Sequence, residues 1–155
     1  MEQKTKISAE DGKQELMITR EFDLPVELLF KAHADPEIVE QWMTSKVVKL
    51  ESKKHGSYQF EKTDDKGNVV FLANGVIHEF IPNQKIIRTF EMANTPFGVQ
   101  LEVYEFEKLT VDTSKLNMHV IYESVAQRDQ VLQLPFAQGL NWAHNRIQEV
   151  VGKLK

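Results

Sequence analysis

Residues 136–154 read Phe136-Ala137-Gln138-Gly139-Leu140-Asn141-Trp142-Ala143-His144-Asn145-Arg146-Ile147-Gln148-Glu149-Val150-Val151-Gly152-Lys153-Leu154. Phe136, Leu140, Ala143, Ile147, Val150 and Leu154 recur in alternating steps of four and three. At ~3.6 residues per turn that spacing draws one apolar stripe along about five turns of helix. The stripe predicts a long amphipathic helix, and its partner has to lie upstream.

Working back from it, a short helix is expected over Ala126–Leu134, ended by Pro135. Before that the period changes to two. Lys46–Glu51, Ser57–Lys62, Val69–Ile81, Lys85–Met92, Gly98–Leu109 and Ser114–Glu123 read as six consecutive strands joined by short turns. Asp64-Asp65-Lys66-Gly67-Asn68 is a turn by composition, and Gly75 is expected to bend the longest strand. Leu16, Ile18, Arg20 and Phe22 alternate with more polar neighbours and give one earlier strand. Between it and the meander, Pro25 opens a helix carrying Val26, Leu29 and Phe30. Asp35-Pro36-Glu37 starts a second, with Ile38, Val39 and Trp42 on its apolar side.

A helix with its side chains is ~10–12 Å across. A sheet of about seven strands at ~4.8 Å spacing is far wider, so a flat sheet would leave apolar surface in water. The fold expected is therefore α+β: a curved antiparallel sheet of about seven strands wrapped around the C-terminal helix, with two short helices between the first and second strands. Curvature of that kind leaves a gap between helix and sheet, and a gap lined by aromatics is where a ligand sits. From the helix the expected lining is Leu140, Ala143 and Ile147, with Gly139 and His144 on the flanks. From the strands it is Tyr58, Phe60, Glu102, Tyr104, Phe106, Met118 and Val120, and from the second short helix Trp42. Trp142 falls ~120° from the stripe centre and is expected to stay out of the gap.

The 155 residues fit one domain, expected over 13–155 after a flexible segment 1–12. With 19 basic and 23 acidic residues and no basic stripe, nucleic acid is not the expected partner. The absence of cysteine excludes disulfides, a thiolate nucleophile and cysteine-held zinc. The histidines at 33, 55, 78, 119 and 144 follow no two-histidine metal spacing, so neither metal nor cofactor is expected. No apolar run approaches the ~20 residues of a spanning helix, and the start of the chain is polar, so the expected location is the cytoplasm.

Two side chains are candidates for chemistry. His144 flanks the apolar stripe and is either a ligand or acid–base group or a half-buried histidine bonded to backbone. Glu102 shares the parity of Tyr104 and Phe106. It either points inward as a general acid or polar anchor, turns to solvent at a bulge, or pairs with Arg20 or Arg88. The two arginines are themselves candidates for holding a ligand carboxylate.

Several short runs occur in a familiar order: Arg20-Glu21-Phe22-Asp23-Leu24-Pro25, Asp35-Pro36-Glu37 with Trp42, and Gly56-Ser57-Tyr58-Gln59-Phe60. They continue with Gly75-Val76-Ile77-His78-Glu79-Phe80-Ile81-Pro82 and Ile86-Ile87-Arg88-Thr89-Phe90. Over residues 14–154 this set resembles the activator-of-heat-shock-protein-90-ATPase homologues of the START-like (SRPBCC) helix-grip superfamily. The resemblance implies a helix-grip fold with a ligand cavity. Relatives of that fold include lipid carriers, hormone receptors, polyketide cyclases and a chaperone co-activator domain, so fold alone does not fix activity. Small bacterial relatives commonly carry Gly-Trp at the start of the last helix and leucine four residues after the Trp. Here the matching positions are Gly139-Leu140 and His144, which alters the pocket wall.

Three functions follow as expectations. The first is a binding or carrier protein for a small hydrophobic molecule, lipid or aromatic and polyketide-like. The second is a cyclase, dehydratase or hydrolase acting on similar substrates through His144, Glu102 or Tyr104. The third is a chaperone co-activator-like interaction module, implied by the resemblance alone.

Overall fold

The computed structural model describes residues 4–155. Twelve elements follow in order: β1 (Lys6–Ser8), β2 (Glu15–Phe22), α1 (Val26–Ala34), α2 (Pro36–Met43), β3 (Lys46–Leu50), β4 (Ser57–Thr63), β5 (Val69–Ile81), β6 (Lys85–Met92), β7 (Val99–Lys108), β8 (Ser114–Ile121), α3 (Val125–Leu132) and α4 (Phe136–Gly152). The strands form one antiparallel sheet in the order β1-β2-β8-β7-β6-β5-β4-β3. The meander β3–β8 runs across the sheet one neighbour at a time. β2 closes it on the far side, paired along its length with β8 from Glu15↔Ile121 to Phe22↔Ser114.

The sheet has eight strands where about seven are expected, because Lys6–Ser8 pairs with Met17–Thr19 as an edge strand. Three residues inside the segment 1–12 thus hold sheet hydrogen bonds. So short a run offers no readable alternation, since only the neighbouring β2 gives it a partner. The sheet is curved and open. Register shifts at Val47/Lys49, Lys62/Thr63 and Ile77/Glu79 add local twist along one half of it.

The short helices form where the sequence places them. Asp35 caps α2, its side chain accepting from Glu37 N at 3.0 Å. Ser124 caps α3 by accepting from Gln127 N at 3.1 Å. Gly75 does more than bend its strand. A Cβ there would lie 2.0 Å from Thr89 O and 2.6 Å from the Tyr58 hydroxyl. The missing side chain lets Tyr58 cross β5 and donate to the Thr89 carbonyl on β6.

The core lies between the concave face and the helices. Leu16, Ile18, Phe22, Leu24, Leu29, Leu116, Val120, Ile147 and Val151 are almost completely buried in it. On α4 the buried line is Leu140, His144, Ile147 and Val151, with Leu140 partly covered. This is one residue round from the stripe read off the sequence. Ala143 and Val150 lie at its edges, Gly139 is exposed, and Leu154 is 51 % exposed. The difference has one cause: His144 occupies a central apolar position, and a count of apolar residues skips it.

Candidate functional site

α4 rests on α2 and α1, and across from its buried line the sheet curves away. A cavity remains there. Leu140, His144 and Ile147 form its helical wall, and Phe60, Arg88, Phe90, Tyr104 and Met118 its sheet wall. His33 of α1 with Val39, Trp42 and Met43 of α2 close one end. The volume open to the centre of a water-sized sphere is about 80 Å³. That is several times the ~10–15 Å³ needed for one water. Most of the lining is carbon, with few polar atoms.

Those polar atoms are highly organised. Arg88 Nε donates to Glu102 Oε1 at 2.8 Å, and the pair is well buried. Arg88 Nη2 donates to the Tyr104 hydroxyl at 2.8 Å, which in turn donates to Glu102 Oε1 at 2.9 Å. Gln100 Nε2 donates to Glu102 Oε2 at 2.8 Å. The guanidinium also lies over the Tyr58 and Tyr104 rings, 4.7 and 4.9 Å from their centroids. The register explains the assembly, because Arg88 and Glu102 are direct cross-strand partners of β6 and β7. Burial acts to lower the Arg88 pKa, but Tyr104, Tyr58 and Glu102 outweigh it and raise it, so the side chain stays a cation. Burial likewise raises the pKa of both tyrosines, with Glu102 adding to the effect, and they remain phenols.

The two cavity histidines are neutral. Burial pushes His33 down to about 4, with Arg88 adding to it against the Leu29 hydrogen bond. Burial pushes His144 down to about 3, assisted by His33 and Arg20. The tautomer of His33 follows from its partner. His33 Nδ1 lies 2.9 Å from the Leu29 carbonyl, which can only accept, so Nδ1 carries the proton and Nε2 is bare. His144 Nδ1 lies 2.7 Å from Thr5 Oγ1. Arg20 Nη1 donates to that same hydroxyl at 3.4 Å. With Nδ1 engaged by Thr5, Nε2 is the ring nitrogen of His144 left for another partner. Among the described residues no hydrogen bond reaches Nε2 of either ring.

Seven residues expected from the sequence meet at the wall: Trp42, Phe60, Tyr104, Met118, Leu140, His144 and Ile147. Five do not line it. Tyr58 lies against Phe60, 5.0 Å between ring centroids, and its hydroxyl is spent on Thr89. Phe106 is covered by Phe30 and His33. Glu102 stands behind Arg88 and Tyr104, Val120 is buried in the core, and Ala143 lies to one side of the helix line. Arg20 does not meet Glu102; it ties β2 to α4 through Asn141 and Asn145 at 3.2 and 2.8 Å. His33, Val39, Met43 and Phe90 are wall residues that the sequence expectation omits, and Arg88, expected only as a possible carboxylate holder, joins the wall. Signals existed for several. Val39 and Met43 share the face of Trp42, and Arg88 and Phe90 share the parity of buried Ile86.

Trp142 is 51 % exposed and away from the cavity. Among the described residues no group of three or more His, Asp or Glu side chains is arranged to hold a metal ion.

The family model described as "Activator of Hsp90 ATPase homolog 1-like protein" matches residues 23–152. Solved structures share the fold at low identity. A protein from Rhodobacter sphaeroides superposes with a TM-score of 0.85 at 18% identity, covering 97% of this chain and 99% of its own. One from Mycobacterium smegmatis gives 0.82 at 22%, covering 94% and 95%. One from Arthrobacter aurescens gives 0.85 at 16%, covering 96% and 91%. A search of curated proteins finds no significant match. At these identities the structural likeness speaks for the fold alone.

Proposed function

The chain belongs to the Activator of Hsp90 ATPase homolog 1-like family, and from that premise we propose that it binds and carries a small hydrophobic molecule, lipid or aromatic and polyketide-like, between sheet and α4. One observation supports this most directly: the curved sheet and α4 leave an apolar hollow, in a fold that would gain stability by filling it. The wall residues proposed to touch the guest are Trp42, Phe60, Tyr104, Met118, Leu140, His144 and Ile147, joined by Val39, Met43 and Phe90. The test is native mass spectrometry of freshly purified protein, followed by a thermal-shift screen of aromatic and fatty compounds. A bound small molecule, or a rise in melting temperature with a subset of the panel, is the expected result. A protein that stays empty and unmoved across the panel would sink the proposal.

An enzyme of the cyclase, dehydratase or hydrolase kind is the second proposal. His144 is on the cavity wall with one ring nitrogen unspent, but a pKa held down to about 3 makes it a poor proton acceptor near neutral pH. Glu102 speaks against it, because both its oxygens are already engaged by Arg88, Tyr104 and Gln100. Conversion of any screen hit during incubation would bring it to the front. A chaperone co-activator role has only the family description behind it. Among the described residues no helix is long and apolar enough to cross a membrane, and a cytoplasmic location remains part of this proposal.

A further inference from the structure

A guest entering the cavity meets three polar features, and their charges decide what it can be. Among the described residues Arg88 is the one cation on the wall, and it is the group a carboxylate would seek. Its charge is already balanced: Glu102 stands 2.8 Å from Nε, and two tyrosine rings cover its faces. A second carboxylate would give up its hydration to enter beside the first, with no net positive charge to receive it. The histidines do not supply one, since each is held neutral by its surroundings. What they supply is complementary hydrogen bonding. His33 has a bare Nε2 that can only accept, and His144 has an Nε2 that its contact with Thr5 leaves over for a guest.

We propose that the cavity selects neutral, oxygen-bearing apolar molecules, receiving a carbonyl oxygen at His144 Nε2–H and a hydroxyl at His33 Nε2, and that it rejects carboxylates of the same shape. The inference rests on the cavity being a binding site, as proposed above, and narrows its ligand class. Thr5 is the positioning residue. In this proposal its hydroxyl, 2.7 Å from His144 Nδ1 and already accepting from Arg20, is the donor of that pair and so keeps the His144 proton on the nitrogen left for the guest.

Four probes with one ring system test this: naphthalene, 2-naphthol, 2-acetonaphthone and 2-naphthoate, titrated calorimetrically into the full chain at pH 7.5. The naphthol and the ketone are expected to bind at least about tenfold more tightly than the carboxylate. They should also exceed naphthalene by a few-fold, as one added hydrogen bond allows. Naphthoate binding as well as the neutral pair would overturn the selectivity while leaving the carrier proposal standing. Naphthalene matching the oxygenated probes would remove the histidines from recognition. Silence from all four would overturn the selectivity, and the carrier proposal would then stand or fall on its wider screen. Thr5→Val keeps the branched shape at a partly exposed position and removes the hydroxyl that meets His144 and Arg20. It is expected to reduce the ketone-over-naphthalene preference several-fold. An unaltered preference would refute the role given to Thr5 and the His144 proton.

Discussion

Arg88 and Glu102 concentrate the electrostatic stakes of the interior in two side chains. Removing one partner of a buried, hydrogen-bonded ion pair strands the other without its solvation. Glu102→Gln is therefore expected to cost about 2–4 kcal/mol in urea unfolding. Adding Arg88→Met should recover part of that loss, which a double-mutant cycle would read as coupling. Gly75 is as constrained in a different way. Gly75→Ala sets a methyl against the Thr89 carbonyl and the Tyr58 hydroxyl, and a loss of about 2–4 kcal/mol is expected by the same assay. The histidines impose a pH dependence. Both ionise at about 6.5 when unfolded but at about 4 (His33) and about 3 (His144) when folded. Between these values the unfolded chain binds protons that the folded chain refuses, so stability rises with pH. It is complete above about pH 6.5 and falls as the pH drops towards 4 and then 3. At pH 5 each buried histidine removes about 2 kcal/mol. His144→Gln should flatten that slope in denaturation curves taken from pH 7.5 to 5.

At the scale of elements, the strands were more legible in the sequence than the helix that closes them. Alternation placed Tyr58, Phe60, Tyr104, Phe106, Met118 and Val120 indoors, and all are buried. Their bulges fall on β3, β4 and β5, away from β7 and β8, so parity survives where it mattered most. For α4 the six-residue stripe predicted the right helix with its face turned by one position. Hydrophobicity records a residue's type, whereas His144 is buried because Thr5 satisfies one ring nitrogen, a contact from 139 residues away. The Arg88–Glu102 pair stood in the sequence only as one alternative among several for the same reason: the two become neighbours only through the β6–β7 register. The observed α4 face yields its own contrast. Ile147→Ala, at a position with no exposure, should cost about 2–4 kcal/mol and enlarge the cavity. Trp142→Ala, half exposed on the same helix, should shift stability by no more than about 0.5 kcal/mol. Thermal melts of the two variants side by side make the comparison.

On the scale of the whole molecule, the mismatch in width between one helix and a broad sheet explains why a hollow exists at all. The sheet curves to meet α4, and α1 and α2 seal the end it leaves open. The arrangement also has a temporal side. β2 spends its full length on β8, and everything from residue 23 to residue 113 has to be synthesised before that partner emerges. A nascent chain halted anywhere in that interval carries Leu16, Ile18 and Phe22 on a strand with only the three residues of β1 beside it. Translation, which delivers the N-terminal end first, thus leaves the opening strand waiting as the stickiest part of the unfinished protein. The ribosome-bound form, more than the finished one, is where this architecture depends on outside protection.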